Sequence, residues 1–323
     1  MQRERELHLP WIQFLPVISP SLGDYYIFSG DPYNLEDTMK HQEGTFEGED
    51  RKLVYHTWAP EKEPKGCVEL LHGFAEHLGR YDHVINLLIA NGFAVCGHDR
   101  RGHGKSTELR DDGGFVKSFH DYVKDSMLFH DYISNQHPDW NDKPWFLLGH
   151  SMGSLIAVMH GVERPGDFDG IILSGYGTKV GTFEEMGRFK KMLGKFLSKI
   201  APKARIKEDL NPDELTHDEE MASAYLNDPL RLRKPSIKLG IEWMKIMDVF
   251  PDITRELSLP MLFQHGSEDV VMRIEESEIP NLFNMEDKTI KMYKGLRHEV
   301  YNELEANRKI VLDDLVSWLN AHA

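Results

Sequence analysis

The feature that most restricts the fold is a repeated alternation. From about residue 52 onward, short apolar runs take turns with longer segments of helical periodicity. The runs are 52–58, 67–71, 93–97, 145–149, 170–174, 260–264 and 289–293; the helical patterns are 80–91, 118–136, 151–163 and 303–321. Strand then helix, repeated, predicts an α/β fold with a mostly parallel central sheet flanked by helices on both faces. The rhythm fails between 178 and 254. That stretch is rich in Lys, Glu and Met, and Pro202, Pro212, Pro229 and Pro235 cut it into short pieces. It resumes at Leu259-Pro260. A core of 46–177 and 255–323 with a helical lid inserted at 178–254 is the simplest account. Residues 1–45, with Pro10, Pro16, Pro20 and Pro32, read as an N-terminal extension.

Charge and cysteine content narrow the function. Lys and Arg number 38 against 53 Asp and Glu, a net charge of −15, which repels a phosphate backbone and argues against nucleic acid as a partner. The two cysteines, Cys67 and Cys96, sit in apolar runs and make neither a disulfide framework nor a zinc site. The first residues are charged with no apolar segment behind them, and no run reaches the length of a membrane span. These features point to the cytosol, with any membrane contact peripheral.

The sharpest local signal is Gly149-His150-Ser151-Met152-Gly153, placed after the apolar run 145–149 and before a helical pattern. A strand-to-helix turn of this kind holds its central serine in a strained conformation, and the glycines on either side let neighbouring backbone approach. It also exposes the serine oxygen at a helix N-terminus, where free N–H groups favour developing negative charge. A serine hydroxyl needs a histidine to take its proton and an acid to orient that histidine. On this architecture the order is Ser, acid, His. Asp269 follows the run 260–264 and is favoured over Glu268 as the acid; His298 follows the run 289–293 and precedes the last helix. The expected catalytic set is therefore Ser151, Asp269 and His298. Its oxyanion donors are the backbone N–H of Met152, after the nucleophile, and of Phe74, in the turn after Leu70-Leu71-His72-Gly73.

Two other motifs fail on inspection. Gly102-His-Gly104-Lys105-Ser106 resembles the end of a phosphate-binding loop, but Asp99 occupies the position that needs glycine. His298-Glu299 starts like a zinc-protease helix and lacks the second histidine, so no metal site is expected there.

Together, His72-Gly-Phe-Ala-Glu-His77-Leu-Gly-Arg80-Tyr81, Asp99-Arg-Arg-Gly-His-Gly-Lys-Ser106, Gly149-His-Ser-Met-Gly153, Gly266-Ser-Glu-Asp269 and Arg297-His298 resemble the α/β-hydrolase superfamily, in particular its monoacylglycerol lipase and lysophospholipase branch, over roughly residues 50–323. The resemblance implies a lid over an apolar tunnel and hydrolysis of single-chain fatty-acyl glycerol esters without metal or organic cofactor. It also implies that Glu76 and Arg80 sit near the polar end of the substrate; His150 either lines the pocket or fixes the turn at Ser151. The plain alternative makes Glu76 and Arg80 an i, i+4 pair on a helix surface. Two departures stand out: Glu299-Val300-Tyr301 follows His298 where animal monoacylglycerol lipases carry a second histidine, and Ser154 replaces a frequent second glycine.

Eight basic residues and no acid lie between Met186 and Lys207, around an apolar stripe of Met186, Phe189, Leu193, Phe196, Leu197 and Ile200. Such a helix either packs on the core mouth or lies on an anionic lipid surface. The expected function is a serine esterase acting on a monoacylglycerol-like ester. Lysophospholipase or broad carboxylesterase activity is the alternative, and a non-catalytic hydrolase-fold receptor or scaffold the more distant one.

Overall fold

The computed structural model describes residues 39–323 apart from Arg110 and Asp209. Eight strands form one sheet: β1 Met39–Glu47, β2 Lys52–Pro60, β3 Gly66–Leu71, β4 Phe93–His98, β5 Trp145–His150, β6 Gly170–Ser174, β8 Met261–Gly266 and β10 Lys288–Tyr293. A separate pair, β7 Lys179–Val180 and β9 Met272–Arg273, is antiparallel. The sheet order is β1-β2-β4-β3-β5-β6-β8-β10. The strands from β4 to β10 in that order are parallel, and the β1 and β2 pairings are antiparallel.

Successive side chains of the central strands point to opposite faces, and both faces are apolar. Cys67, Ala94, Cys96, Leu147, Ile171, Leu173, Met261 and Phe263 join one core cluster; Val68, Phe93, Val95, Phe146, Leu148, Ile172 and Leu262 join the other. Helices α1 Asp82–Ala90 and α11 Glu305–His322 cover the second face. Helices α3 His120–Gln136 and α4 Met152–Glu163 cover the first, with the short α2 Ser106–Leu109 and α10 Ile279–Leu282 in connections. Both cysteines are free and buried in the sheet.

The extension expected at 1–45 needs a correction where it is described. Residues 1–38 lie outside the described residues, whereas 39–45 belong to β1, an edge strand. Along β1 only Phe46 is buried, and the four residues Lys40–Glu43 are exposed. A strand with so little buried surface carries no apolar alternation for a sequence reader to find.

Between β7 and β8 the chain forms only helices and loops: α5 Gly181–Glu185, α6 Arg188–Ile200, α7 Glu219–Asn227, α8 Ile237–Met247 and α9 Phe250–Thr254. The basic helix expected over 186–207 stops at Ile200, just before Pro202. Its apolar side is uncovered along most of its length: Phe189, Met192, Leu193, Phe196 and Ile200 are all exposed. The packing of that stripe on the core mouth, one of the two readings above, is not what is seen.

Candidate active site

The parallel strands all end on the same side of the sheet, and the loops leaving β3, β5, β8 and β10 bring the candidate residues there. Ser151 is the turn between β5 and α4. Its φ of +52° and ψ of −122° place it in a region that L residues avoid. The two flanking glycines are obligatory: a Cβ at Gly149 would come within 2.5 Å of the Gly153 carbonyl oxygen, and one at Gly153 would collide with the Leu71 carbonyl. The backbone N–H of Ser151 is tied to the carbonyl of Ser174 at 2.9 Å, and the Ser154 hydroxyl donates to the Ser151 carbonyl at 2.6 Å. Ser154 thus holds the first turn of α4 at its serine end. Met152 opens α4, so its N–H is among the first-turn donors that the helix cannot use internally.

Asp269 and His298 meet across two loops. The Oδ2 of Asp269 lies 2.7 Å from Nδ1 of His298, and its Oδ1 accepts from the backbone N–H groups of Val271 and Met272 at 2.8 and 2.9 Å. Burial alone would raise the Asp269 carboxyl, but the charge and hydrogen bond of His298 more than offset it and hold the group below the usual carboxylate range. Burial likewise favours the neutral ring of His298, and here Asp269, helped by Glu299 and Glu76, prevails and raises it above the ordinary histidine value. The neighbouring His150, 4.9 Å away ring to ring, is driven the other way. Burial and the charge of His298 lower it to about 4, so it stays neutral.

Ser151 and His298 line one small cavity. Gly73, Phe74, Glu76, His150, Val271 and Glu299 share the wall; Leu210, Leu215, Tyr225 and Trp243 from the helical insertion complete it. Asp269, Met152 and Arg80 are not on the lining. Asp269 stands behind His298, and Met152 offers only backbone. Arg80 lies one layer back, between Glu76 and Glu299. Glu76 and Arg80 are not a solvated helix pair: Glu76 is buried and Arg80 half-buried, just before and within a single 3₁₀ turn at Leu78–Tyr81.

Sequence reasoning did not assign roles to Glu299, Tyr225 or Trp243. Tyr225 and Trp243 line the cavity, and the Tyr225 hydroxyl and the Trp243 indole nitrogen are buried with no hydrogen-bond partner in the protein. Tyr225 is held between two guanidinium groups, Arg80 at 4.9 Å and Arg231 at 4.1 Å from its ring centre. Trp243 packs on Phe74 and Phe183 at 5.4 and 5.3 Å.

A second Ser-His-Asp series shows why geometry must be joined to access. Ser126 Oγ lies 2.9 Å from His160 Nδ1, and His160 Nε2 lies 3.0 Å from Asp167 Oδ2. Yet Ser126 and His160 have no exposed surface and lie where α3 and α4 cover the sheet. No substrate reaches that serine. No group of His, Cys, Asp and Glu suited to a metal ion occurs among the described residues.

The family model for serine aminopeptidase S33, Hydrolase_4, matches residues 62–305. The chain is 34% identical to the monoacylglycerol lipase of Mycolicibacterium smegmatis over 278 residues, covering 84% of this chain and 94% of that one. It is 29% identical to human monoglyceride lipase, covering 83% and 86%. In fold it is similar to a soluble variant of monoglyceride lipase from Saccharomyces cerevisiae in complex with a substrate analogue, with a TM-score of 0.79 at 22% identity, covering 91% of this chain and 98% of that one.

Proposed function

Because the chain belongs to the Hydrolase_4 family of serine hydrolases, we propose that it cleaves the ester bond of monoacylglycerols through an acyl-enzyme, with Ser151 as nucleophile, His298 as general base and acid, and Asp269 as the group that orients His298. The observation that carries this reading is the strained, cavity-facing Ser151 sharing its pocket with a histidine whose other nitrogen is bonded to a buried carboxylate. His298 takes the hydroxyl proton through Nε2 as Ser151 attacks the acyl carbon. The N–H groups of Phe74 and Met152 receive the oxyanion. The protonated imidazole, stabilised by Asp269, then gives its proton to the leaving alcohol, and water repeats the sequence on the acyl-enzyme.

The wall of the cavity suits a substrate with two unlike ends. Glu76, His150 and Tyr225 offer polar contacts to a hydroxylated alcohol; Leu210, Leu215, Trp243 and Val271 offer apolar ones. The helical insertion serves as the lid of this cavity. Helix α6, with Phe189, Met192, Phe196 and Ile200 exposed among arginine and lysine side chains, suits an anionic lipid surface from which such a substrate is drawn. Among the described residues no helix is long and apolar enough to cross a membrane.

A hydrolysis panel tests the reading: 2-acylglycerol, lysophosphatidylcholine and a short p-nitrophenyl ester, with fluorophosphonate labelling alongside. Preference for the acylglycerol and labelling lost in Ser151→Ala are expected. Preference for the lysophospholipid would move the assignment to lysophospholipase. Absence of both turnover and labelling would favour a non-catalytic role.

A further inference from the structure

We propose that the ion-pair chain Glu76–Arg80–Glu299 is a brace that fixes the oxyanion-donor loop relative to the His298 loop, making Arg80 and Glu299 positioning residues for the hydrolysis; this rests on the serine-hydrolase reading above.

At one end of the brace, Glu299 directly follows His298. Its carboxylate takes Arg80 in a bidentate grip, Oε1 to Nη1 and Oε2 to Nη2, each at 2.7 Å. The side chain of Asn302 donates to the same carboxylate at 2.8 Å. At the other end, Nη1 of Arg80 also donates to Glu76 Oε2 at 2.7 Å. The remaining oxygen of Glu76 accepts from the Tyr81 hydroxyl at 2.7 Å and from the backbone N–H of Gly73. Gly73 is the residue before the donor Phe74. Its carbonyl is gripped on the far side by the buried guanidinium of Arg100. The Gly73 residue is therefore pinned through both its N–H and its carbonyl.

What this pinning resists is visible in the backbone. Among the described residues only Ser151 and Ala75 have positive φ without being glycine, and Ala75 lies between Phe74 and Glu76. A left-handed alanine persists only where its surroundings over-determine it. The Glu76 carboxylate folding back on Gly73 closes that turn, and Arg80 and Glu299 hold the carboxylate in place. An isolated buried charge of this kind is costly, so the three groups must stay together, and the arrangement serves geometry more than stability. Glu76 and Glu299 reach the cavity lining but Arg80 does not; it stands behind them and holds both carboxylates.

A brace and a head-group contact make opposite predictions about substrate dependence. A brace acts on the oxyanion whatever the alcohol. Glu299→Gln and Arg80→Lys should therefore lower kcat by about 10–100-fold on a monoacylglycerol, a fatty-acid methyl ester and a p-nitrophenyl ester alike, with KM within about threefold. Affinity for an alkylboronic acid, whose tetrahedral adduct uses the same donors, should fall by a similar factor. A loss confined to the acylglycerol, or one expressed in KM alone, would overturn the brace and make Arg80 a substrate contact. Unchanged kcat on all three esters would overturn it too. If neither variant folds, Tyr81→Phe, which removes one bond to Glu76, decides the matter: a smaller uniform fall in kcat supports the brace, and no fall or a fall on the acylglycerol alone rejects it. Wild-type protein inert toward all three esters and the fluorophosphonate would reject the hydrolase reading and the brace with it.

Discussion

His298 Nδ1 sits 2.7 Å from Asp269 Oδ2, joining two loops that leave strands β10 and β8 of one parallel sheet. His298 also lines the cavity that Ser151 lines. From this relationship the behaviour of several variants follows.

Ser151→Ala should lose turnover by on the order of 10³-fold or more while remaining folded. Because Ser151 is held at φ +52°, Ser151→Gly relieves backbone strain and should be equally inactive yet more stable by about 1 kcal/mol. Thermal melts of the two variants beside wild type check this. A glycine variant less stable than the alanine one would contradict the strain argument.

The pH profile carries a sign that can be worked out. The neutral form of His298 is the base, and its raised pKa means that kcat/KM should fall as pH drops through a value above 6.5. The charged or titratable groups acting on it are Asp269, His265, His150, Glu299 and Glu76. Asp269, held below its usual range, stays ionised throughout. Glu299→Gln removes a negative charge that favours the protonated ring, so the acid limb should move to lower pH. Movement to higher pH would mean that the carboxylate of Glu299 does not act on the base.

Ser126→Ala tests the buried look-alike. It should leave kcat/KM unchanged and cost about 1–2 kcal/mol, because His160 Nδ1 loses its partner in the interior. Loss of activity in a folded Ser126→Ala protein would show that the wrong serine has been assigned.

Helix α6 should bind anionic vesicles better than neutral ones, with binding that weakens as salt rises. Reversing Lys191 and Lys195 to glutamate should abolish the preference without changing turnover of a water-soluble ester. Equal sedimentation with both kinds of vesicle would remove lipid charge from the account.

The parts of this site that were legible in the sequence are those whose meaning is local. The strand before Ser151, the helix after it and the two tight glycines lie within nine residues, and Asp269 and His298 each announce themselves by following a late apolar strand. Strand β1 was not legible, because an exposed edge has no apolar pattern to offer. Glu299 was noticed only as a departure from a family pattern. Its partner Arg80 is 219 residues away, and no periodicity connects them. Tyr225 and Trp243 were missed for the same reason: an unpartnered donor is a property of the folded surroundings, not of the residue. The stripe on α6 was readable as amphipathic, but whether another surface covers such a face depends on packing.

The helical insertion is tied to the loop that carries the base through Leu215, Thr216 and His217. The Glu299 N–H donates to the Leu215 carbonyl at 2.8 Å, the Arg297 guanidinium to the Thr216 carbonyl at 2.9 Å, and His217 meets Glu303 at 2.9 Å. Leu215 thus rides on the very loop that presents the base. Substrate cannot be admitted by lifting that half of the canopy without dragging His298 out of register.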